Sequence, residues 1–198
     1  ETEGQILCQD GEAVEAYYFS TSAGVTSTDE IWGSDEAAPY LRSVPCKFDE
    51  EEPWSSWIVE LPWKMLEDRI REKGEGTVLR SVTVTRRSES GAATALEAVS
   101  DKDSCIIENE YDIRKFLAPV NCMITEKDGT ETAGGSLLPS AYFELERTQN
   151  GNLQVRGKGY GHGVGMSQTG ADKMAEQGYD YREILDYFFR NITVENLG

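Results

Sequence analysis

The sequence predicts an α+β fold that is built mainly from antiparallel sheets and contains a few short helices. Turn signals such as Asp10-Gly11 and Asn150-Gly151 separate short β-prone runs, a pattern typical of hairpins. Helix and strand patterns are interleaved along the chain, but hairpins outnumber strand–helix–strand crossovers. A glycine-rich segment, interpreted as a strand, leads into a pair of helices near the C-terminus. The length of 198 residues fits one domain, which we expect to occupy residues 1–198.

The first half of the chain is predicted to begin with a hairpin and to continue into a strand and a helix. The hairpin strands are residues 5–8 and 13–19, and a polar loop follows over residues 20–24. Residues 57–61 have the pattern of a strand, and Pro62 suits the first turn of a helix. Apolar residues then recur at steps of three and four before Gly74: Trp63, Leu66 and Ile70. Further predicted elements are strands over residues 78–85, 93–99, 141–146 and 153–155 and a short helix over residues 112–117.

The C-terminal helices carry capping signals. Ser167 can cap a helix over residues 168–177, and Asp180 can cap a second helix with Glu183 as its capping-box partner. The faces expected to point inward carry Ala171, Met174 and Ala175 in the first helix and Tyr181, Ile184, Leu185 and Phe188 in the second. A final strand is predicted over residues 192–195.

The composition excludes several classes of function. The chain carries 19 Lys and Arg against 36 Asp and Glu, which gives a net charge of −17 and a pI near 4.4. Phosphate backbones attract surfaces rich in Lys and Arg, so we expect neither a nucleic acid partner nor docking on anionic lipid. No apolar run approaches the ~18 residues that a membrane span needs.

The four cysteines leave two interpretations open. In a secreted protein the even count suits one or two disulfides, and we expect Cys105–Cys122 or Cys8–Cys46. In a reduced protein the same residues are buried thiols. Because there is no CxxC and His162 is the single histidine, we expect no metal site and no cofactor.

Glycines alternate from Gly157 to Gly165, and this segment is the candidate for chemistry. In an extended backbone the alternation places them on one face, where another chain or a ligand can approach closely. Neither dinucleotide-binding nor P-loop spacing can be drawn through them, so we expect no phosphate binding. Two interpretations remain: a ligand cleft that contains His162, or a tight strand crossing in which His162 is held by hydrogen bonds.

Several blocks of the sequence resemble the SpoIID/LytB family, which comprises stage II sporulation protein D and its amidase-enhancer relatives. The matching residues are 159–171 (GYGHGVGMSQTGA), 174–185, 16–24 (AYYFSTSAG), Trp32-Gly33 and 39–44, with a weaker match over 112–117 and 140–143. The resemblance therefore extends from near residue 4 to the end of the chain.

The resemblance implies action on peptidoglycan. Members similar to this chain are lytic transglycosylases that cleave between N-acetylmuramic acid and N-acetylglucosamine in strands stripped of stem peptides, leaving a 1,6-anhydro end. One carboxylic acid protonates the leaving oxygen and the sugar's own C6 hydroxyl closes on C1, so one carboxyl group can suffice.

The family's catalytic glutamate lies before the first hairpin, and no matching segment occurs in this chain. We therefore assign no catalytic residue, since Glu15, Glu30 and Glu60 do not match that position. Either the segment was removed by cloning or proteolysis, which we favour, or the chain is a non-catalytic glycan-binding amidase enhancer or a structural wall domain. Phe19 stands where some relatives have a histidine, so a metal site built there cannot form.

The resemblance also suggests residues that bind glycan. His162 is expected to hydrogen-bond a sugar or to tune the acid, and Tyr160 is expected to pack against a pyranose face. The other candidates are Gln168, Ser167, Ser20, Thr21 and Ser22. For these hydroxyl side chains the structural alternatives are a helix cap and turn stabilisation. Trp32 is either a sugar platform or core, whereas Trp57 and Trp63 are expected in the core and Arg114 in an ion pair.

The implied partners are peptidoglycan glycan strands, a cell-wall amidase and the membrane scaffold of the engulfment machinery. The implied location is the cell envelope, at the outer face of the membrane of a spore-forming Gram-positive bacterium, with the anchor outside this chain. We expect a monomer.

Overall fold

The computed structural model describes residues 4–34 and 36–196 and confirms the α+β class. The ends of the predicted domain, residues 1–3 and 197–198, lie outside the described residues. The helices are α1 (Trp63–Glu72), α2 (Glu110–Phe116), α3 (Gln168–Glu176) and α4 (Tyr181–Phe188). The strands are β1 (Gln5–Gln9), β2 (Glu12–Ala13), β3 (Tyr18–Phe19), β4 (Trp57–Leu61), β5 (Leu79–Arg87), β6 (Ala93–Ser100), β7 (Ser104–Glu108), β8 (Met123–Glu126), β9 (Glu131–Ala133), β10 (Phe143–Arg147), β11 (Leu153–Gly157), β12 (Met166–Ser167) and β13 (Thr193–Asn196). Among the described helices, none combines the length and hydrophobicity needed to cross a bilayer.

The strands form three antiparallel sheets and one short parallel pair. The sheet orders are β10-β11-β4-β8-β9, β5-β6-β7 and β13-β1-β2, and β3 pairs in parallel with β12. In β4 the side chains of Trp57, Val59 and Leu61 are buried while their neighbours are exposed, because alternate residues of a strand face opposite sides of the sheet.

Two hydrophobic clusters hold these layers together. The larger one lies between the five-stranded sheet, the β5-β6-β7 sheet and helices α1 and α2, and includes Trp57, Leu66 and Leu96. The smaller one packs α3 and α4 beneath the glycine-rich segment and includes Val164 and Phe188. The glycine-rich segment is thereby anchored to the second cluster through Val164.

Local signals in the sequence correctly located most of the elements. Asp10 and Gly11 both have positive φ in the β1–β2 turn, and β10–β11 turns at Asn150-Gly151. Asp180 and Glu183 form the predicted reciprocal capping box of α4. These features depend on residues close in sequence, so short-range chemistry is sufficient to predict them.

Several predictions about the elements were wrong or incomplete. The second hairpin strand ends at Ala13, because residues 18–19 pair instead with the distant β12. Ala175 is exposed, and α3 buries Gly170 and Met174. Tyr181 of α4 was also expected to point inward but is 42% exposed, and α4 buries Ile184 and Phe188. Strands β7, β8 and β9 were missed, although Asp128-Gly129 between β8 and β9 is the same turn signal that identified the other hairpins.

The glycine-rich segment is not a strand beyond Gly157, where β11 ends. Gly159, Gly161, Gly163 and Gly165 have φ values of 74°, 114°, 87° and 80°, which are left-handed and incompatible with an extended chain. The glycines therefore occur at every second residue because the backbone makes a left-handed turn at each of them. The expected close approach is present, but it is made by the protein's own chain.

All four cysteines are free thiols, which decides between the two interpretations against Cys105–Cys122 and Cys8–Cys46. Cys8 and Cys46 are buried, and the other two are half-buried. Burial raises the pKa of the Cys46 thiol to about 12, with a further increase from the carboxylate of Asp49. The Cys46 thiol is therefore protonated at neutral pH and unreactive.

Candidate functional site

The two most extensive family-like blocks meet along their backbones. The amide of Tyr160 donates to the carbonyl oxygen of Thr21 at 2.8 Å, and the amide of Thr21 donates back to Tyr160 at 3.1 Å. Farther along, the amide of Met166 donates to Tyr17 at 3.0 Å, where β12 lies beside β3. Residues 17–22 and 157–168 thus form one unit, which we call the motif crossing.

Glycine is required at the motif crossing because its two backbone segments lie too close together for a side chain to fit between them. A Cβ on Gly159 would lie 2.8 Å from the Thr21 carbonyl oxygen, and one on Gly161 would lie 2.7 Å from the Cβ of Phe19. Real Cβ atoms do not approach this closely, and both glycines have positive φ. The close crossing of the second interpretation is therefore present in this segment.

Asp49 ties the motif crossing together from below. Its carboxylate is 1% exposed and accepts from the backbone amide of Ser22 at 2.8 Å. It also accepts from the hydroxyls of Ser167 at 2.9 Å and Thr169 at 2.6 Å and from the thiol of Cys46 at 3.3 Å. Asp49 is absent from the predicted site residues because it begins an acidic run, residues 49–52, that has the composition of a solvated loop.

The hydroxyl candidates for glycan binding are largely engaged inside the protein. Thr21, Ser22 and Ser167 are at most 2% exposed. Ser167 accepts from the amide of Gly170 as the N-cap of α3 and donates to Asp49, while Ser22 accepts from Gly24. These contacts favour the structural alternative for the three side chains. Ser20 is half-buried, and Gln168 is exposed at the start of α3.

His162 lies half-buried between aromatic rings. Its ring centroid is 5.1 Å from that of Trp32 and 5.9 Å from that of Phe19. Nδ1 accepts from the amide of Val164 at 3.1 Å, which places the proton of the neutral ring on Nε2. Burial lowers the pKa of His162 below its ordinary value, and this effect outweighs the opposing influence of Glu110.

A buried ion pair holds the neighbouring tryptophan. Glu110 is 3% exposed, accepts from Arg114 at 3.0 Å, and accepts from the indole Nε1 of Trp32 at 3.3 Å. Arg114 is fixed in turn by the carbonyl oxygens of Leu138 at 2.9 Å and Pro139 at 3.2 Å. The predicted ion pair of Arg114 is confirmed, and its consequence is a Trp32 ring held against His162.

Tyr160 and Trp32 remain accessible while their surroundings are fixed. Tyr160 is 42% exposed and packs edge-on against Trp54 with ring centroids 4.7 Å apart. Trp32 is 36% exposed and contacts Tyr17 at 4.9 Å. Trp57 is fully buried as predicted and donates from its indole to the carbonyl oxygen of Gly159 at 2.9 Å, whereas Trp63 is half-buried.

The three glutamates considered as acids are all exposed. Glu15 accepts from the hydroxyl of Tyr17, Glu30 accepts from Thr28 at 2.8 Å, and Glu60 accepts from the side-chain amide of Asn152 at 2.7 Å. The geometry gives no reason to assign a catalytic acid among these three.

The stability of the protein should depend on the protonation of His162. Because the pKa of His162 is lowered in the folded state, the unfolded chain takes up the proton first as the pH falls. Stability from this residue is therefore complete above pH ~6.5, the ordinary histidine value, and is lost below it until the folded pKa is reached. Between pH 7.5 and 5.5, the free energy of unfolding measured with urea should fall more for wild type than for His162→Gln.

The difference between the two curves is the relevant quantity, because 36 acidic residues also change the stability over this range. Glu110 and Arg114, the charged groups nearest the ring, are present in both proteins and cancel in the comparison. Parallel curves for wild type and His162→Gln would contradict a lowered pKa.

Comparison with known proteins gives a family match and several relatives. A family model described as "Domain of unknown function (DUF8618)" matches residues 42–165. Stage II sporulation protein D of Bacillus amyloliquefaciens is 30% identical, over 98% of this chain and 48% of the relative. The protein of the same name from Bacillus subtilis (strain 168) is 29% identical with the same coverage. The amidase enhancer of Bacillus subtilis (strain 168) is 22% identical, over 98% of this chain and 31% of the relative. The chain thus spans about half the length of the sporulation proteins that it matches.

Proposed function

Since this chain belongs to the DUF8618 family and, with its relatives, to the SpoIID/LytB family, we propose that it binds the glycan strands of peptidoglycan. Relatives named for sporulation and for amidase enhancement support a function in sporulation that is related to the cell wall. In a lytic transglycosylase of the sporulation type, this chain would hold the strand and a segment outside it would supply the catalytic acid.

The observation that carries the proposal is a pair of accessible aromatic contacts on the motif crossing. The ring of Trp32 packs against His162, and the ring of Tyr160 packs against Trp54. Aromatic rings offer apolar faces for the C–H surface of a sugar and keep polar tips for its hydroxyls. The backbone that carries Trp32 and Tyr160 is already fixed, so less conformational entropy is lost when a ligand binds.

The site chemistry fits a neutral sugar ring. Burial lowers the pKa of His162, so the ring that lies against Trp32 is neutral at pH 7 and adds no full charge to the site. Gln168 is exposed at the N-terminus of α3 and has both an amide donor and an amide acceptor for an acetamido group. The buried Glu110–Arg114 pair supports Trp32 and does not itself reach solvent.

Binding to purified glycan strands tests the proposal. Trp32→Ala and Tyr160→Ala should each weaken retention on strands stripped of stem peptides by about tenfold, since truncating an aromatic side chain that anchors a ligand costs more than about 1 kcal/mol. Tyr111→Ala is the matched control, because Tyr111 is 51% exposed on α2. Equal retention of all three variants and wild type would overturn the proposal.

A second candidate function is a non-catalytic module that grips glycan and stimulates an amidase. The relative named amidase enhancer favours it. The protein extended by its native preceding segment distinguishes the two. Mass spectrometry should detect 1,6-anhydro products if the parent is a transglycosylase, whereas a stimulated amidase without such products would support the enhancer.

The proposal extends to location and partners. A glycan-binding chain of this family would work at the cell envelope of a spore-forming Gram-positive bacterium, outside the membrane. Its partners would be the glycan itself, a cell-wall amidase and the membrane scaffold of the engulfment machinery. Co-purification with such an amidase, retained after glycan digestion, would separate a direct contact from joint binding to the wall.

A further inference from the structure

A cavity beside the motif crossing has a charge opposite to that of the protein. It has a volume of about 310 Å³ and lies where the turn between β5 and β6 meets β10 and β11. Three of its lining residues are cationic and one is acidic: Arg87, Arg156, Lys158 and Glu144. The whole chain has 19 cationic and 36 acidic residues, so this cavity is a local positive region on a strongly negative surface.

Hydrogen bonds hold the side chain of Arg87 and the backbone of Lys158. Arg87 donates to the carbonyl oxygens of Gly91 at 3.0 Å and Phe143 at 2.8 Å and pairs with Glu144 at 3.0 Å. The backbone of Lys158 is held on both sides, since its amide donates to Tyr142 at 2.9 Å and its carbonyl oxygen accepts from Ser140 at 2.6 Å. Arg87 is therefore fixed in place, and so is the backbone from which Lys158 extends.

Two of these cations are available to a ligand. Within the described residues, Lys158 has no carboxylate within 4.0 Å of its ammonium group. Arg156 has one, at the longer distance of 3.5 Å from Glu146, and its side chain is 57% exposed. Such a pair is weak in water, so a ligand carboxylate can compete for Arg156.

Two of the remaining lining residues carry hydroxyl groups, Ser90 and Tyr142, and the other three are apolar: Ala23, Gly91 and Phe143. The Oγ of Ser90 lies 3.1 Å from the hydroxyl of Tyr142, 2.8 Å from Ser27 and 2.9 Å from Ser88. These neutral groups satisfy one another, and Tyr142 is 8% exposed, so they form a rigid polar surface that carries no charge. A hydroxylated ligand that bears one carboxylate matches both parts of the cavity.

We propose that this cavity binds the carboxylate of an acidic sugar. The inference rests on the proposed function: in a glycan strand without stem peptides, that group is the free lactyl carboxylate of muramic acid. Lys158 is two residues from Tyr160 on the same segment, so one strand can contact the aromatic ring and the cationic cavity together. Recognition of the carboxylate favours stripped strands, because an attached peptide converts it to an amide.

The test compares two forms of the same strand. Stripped glycan with free lactyl carboxylates should bind wild type about tenfold more tightly than glycan whose carboxylates have been converted to methyl amides, because the amide removes both exposed charge pairs. The double variant Arg156→Gln, Lys158→Gln should lose that preference and bind both forms with the affinity of wild type for the amide. Lys64→Gln, on the exposed face of α1, is the matched control and should keep the preference.

The outcomes separate this inference from the function on which it rests. Equal binding of both forms to wild type would overturn the carboxylate site and leave glycan binding intact. A double variant that also loses the amide form would overturn it as well, because the lost contacts would then be unrelated to the carboxylate. Failure of wild type to bind either form would overturn the glycan proposal itself, and this inference with it.

Discussion

Replacing Gly165 by alanine is expected to destabilise the protein by about 3 kcal/mol or more. A Cβ at this position would lie far inside van der Waals contact with the carbonyl oxygen of Tyr17 and 2.9 Å from its carbonyl carbon. The chain cannot move away, because the next amide, that of Met166, donates to the same Tyr17 carbonyl at 3.0 Å. The φ of 80° adds backbone strain that any residue with a Cβ must bear.

Two other glycines separate the clash from the strain. Gly178→Ala has a φ of 95° but open space around the new Cβ, so it should cost only about 1 kcal/mol. Gly135→Ala has open space and no positive φ, so its effect should stay within about 0.5 kcal/mol. Free energies of unfolding from urea titration measure all three. If Gly165→Ala costs no more than Gly178→Ala, the close crossing of residues 17 and 165 is incorrect.

Asp49→Ala is expected to have a similarly large effect, a loss of about 3 kcal/mol. The substitution leaves the buried amide of Ser22 and the hydroxyls of Ser167 and Thr169 without their shared acceptor. Each buried donor that loses its partner costs roughly 1–3 kcal/mol, although water entering from the adjoining cavity can recover part of this. Asp49→Asn should cost less, since its amide oxygen can still accept.

Asp172→Ala is the matched control for this loss. Asp172 is an exposed carboxylate on α3, the same helix that Asp49 anchors through Thr169, and its removal should change stability by less than about 0.5 kcal/mol. Amide exchange at Ser22 and Gly170 gives a local readout, because the first amide donates to the Asp49 carboxylate and the second to the Ser167 hydroxyl that Asp49 holds. Unaltered exchange and stability in Asp49→Ala would show that the motif crossing is held by its backbone hydrogen bonds alone.

Candidate site residues fall into two groups that the sequence could not distinguish. Ser22 and Ser167 belong to polar motif segments, yet they are buried and serve Asp49 and α3. Tyr160 and Gln168 come from the same segment and remain exposed. Residue type and spacing are alike for both groups, and burial depends on which other segment packs against each side chain.

The role of Glu110 also depends on a contact between distant segments that the sequence does not indicate. It lies next to the predicted helix over residues 112–117, and the pairing of Arg114 with a carboxylate was expected. The contact with Trp32 joins residues 78 positions apart, and no short-range pattern indicates it. The positioning of Trp32 against His162 could therefore be read only from the folded chain.

Features that depend on neighbours along the chain could be predicted from the sequence. They are the Asp-Gly and Asn-Gly turns, the capping box of α4, the buried stripe of β4 and the α+β class. Their energies come from contacts over a few residues, which composition and spacing specify directly. The winding of the glycine-rich segment, the burial of Asp49 and the free thiols depend on contacts between segments far apart in the chain. A glycine at every second position is equally compatible with an extended strand and with repeated left-handed turns, and the closeness of residues 17–22 selects the turns because no Cβ fits between the two backbones.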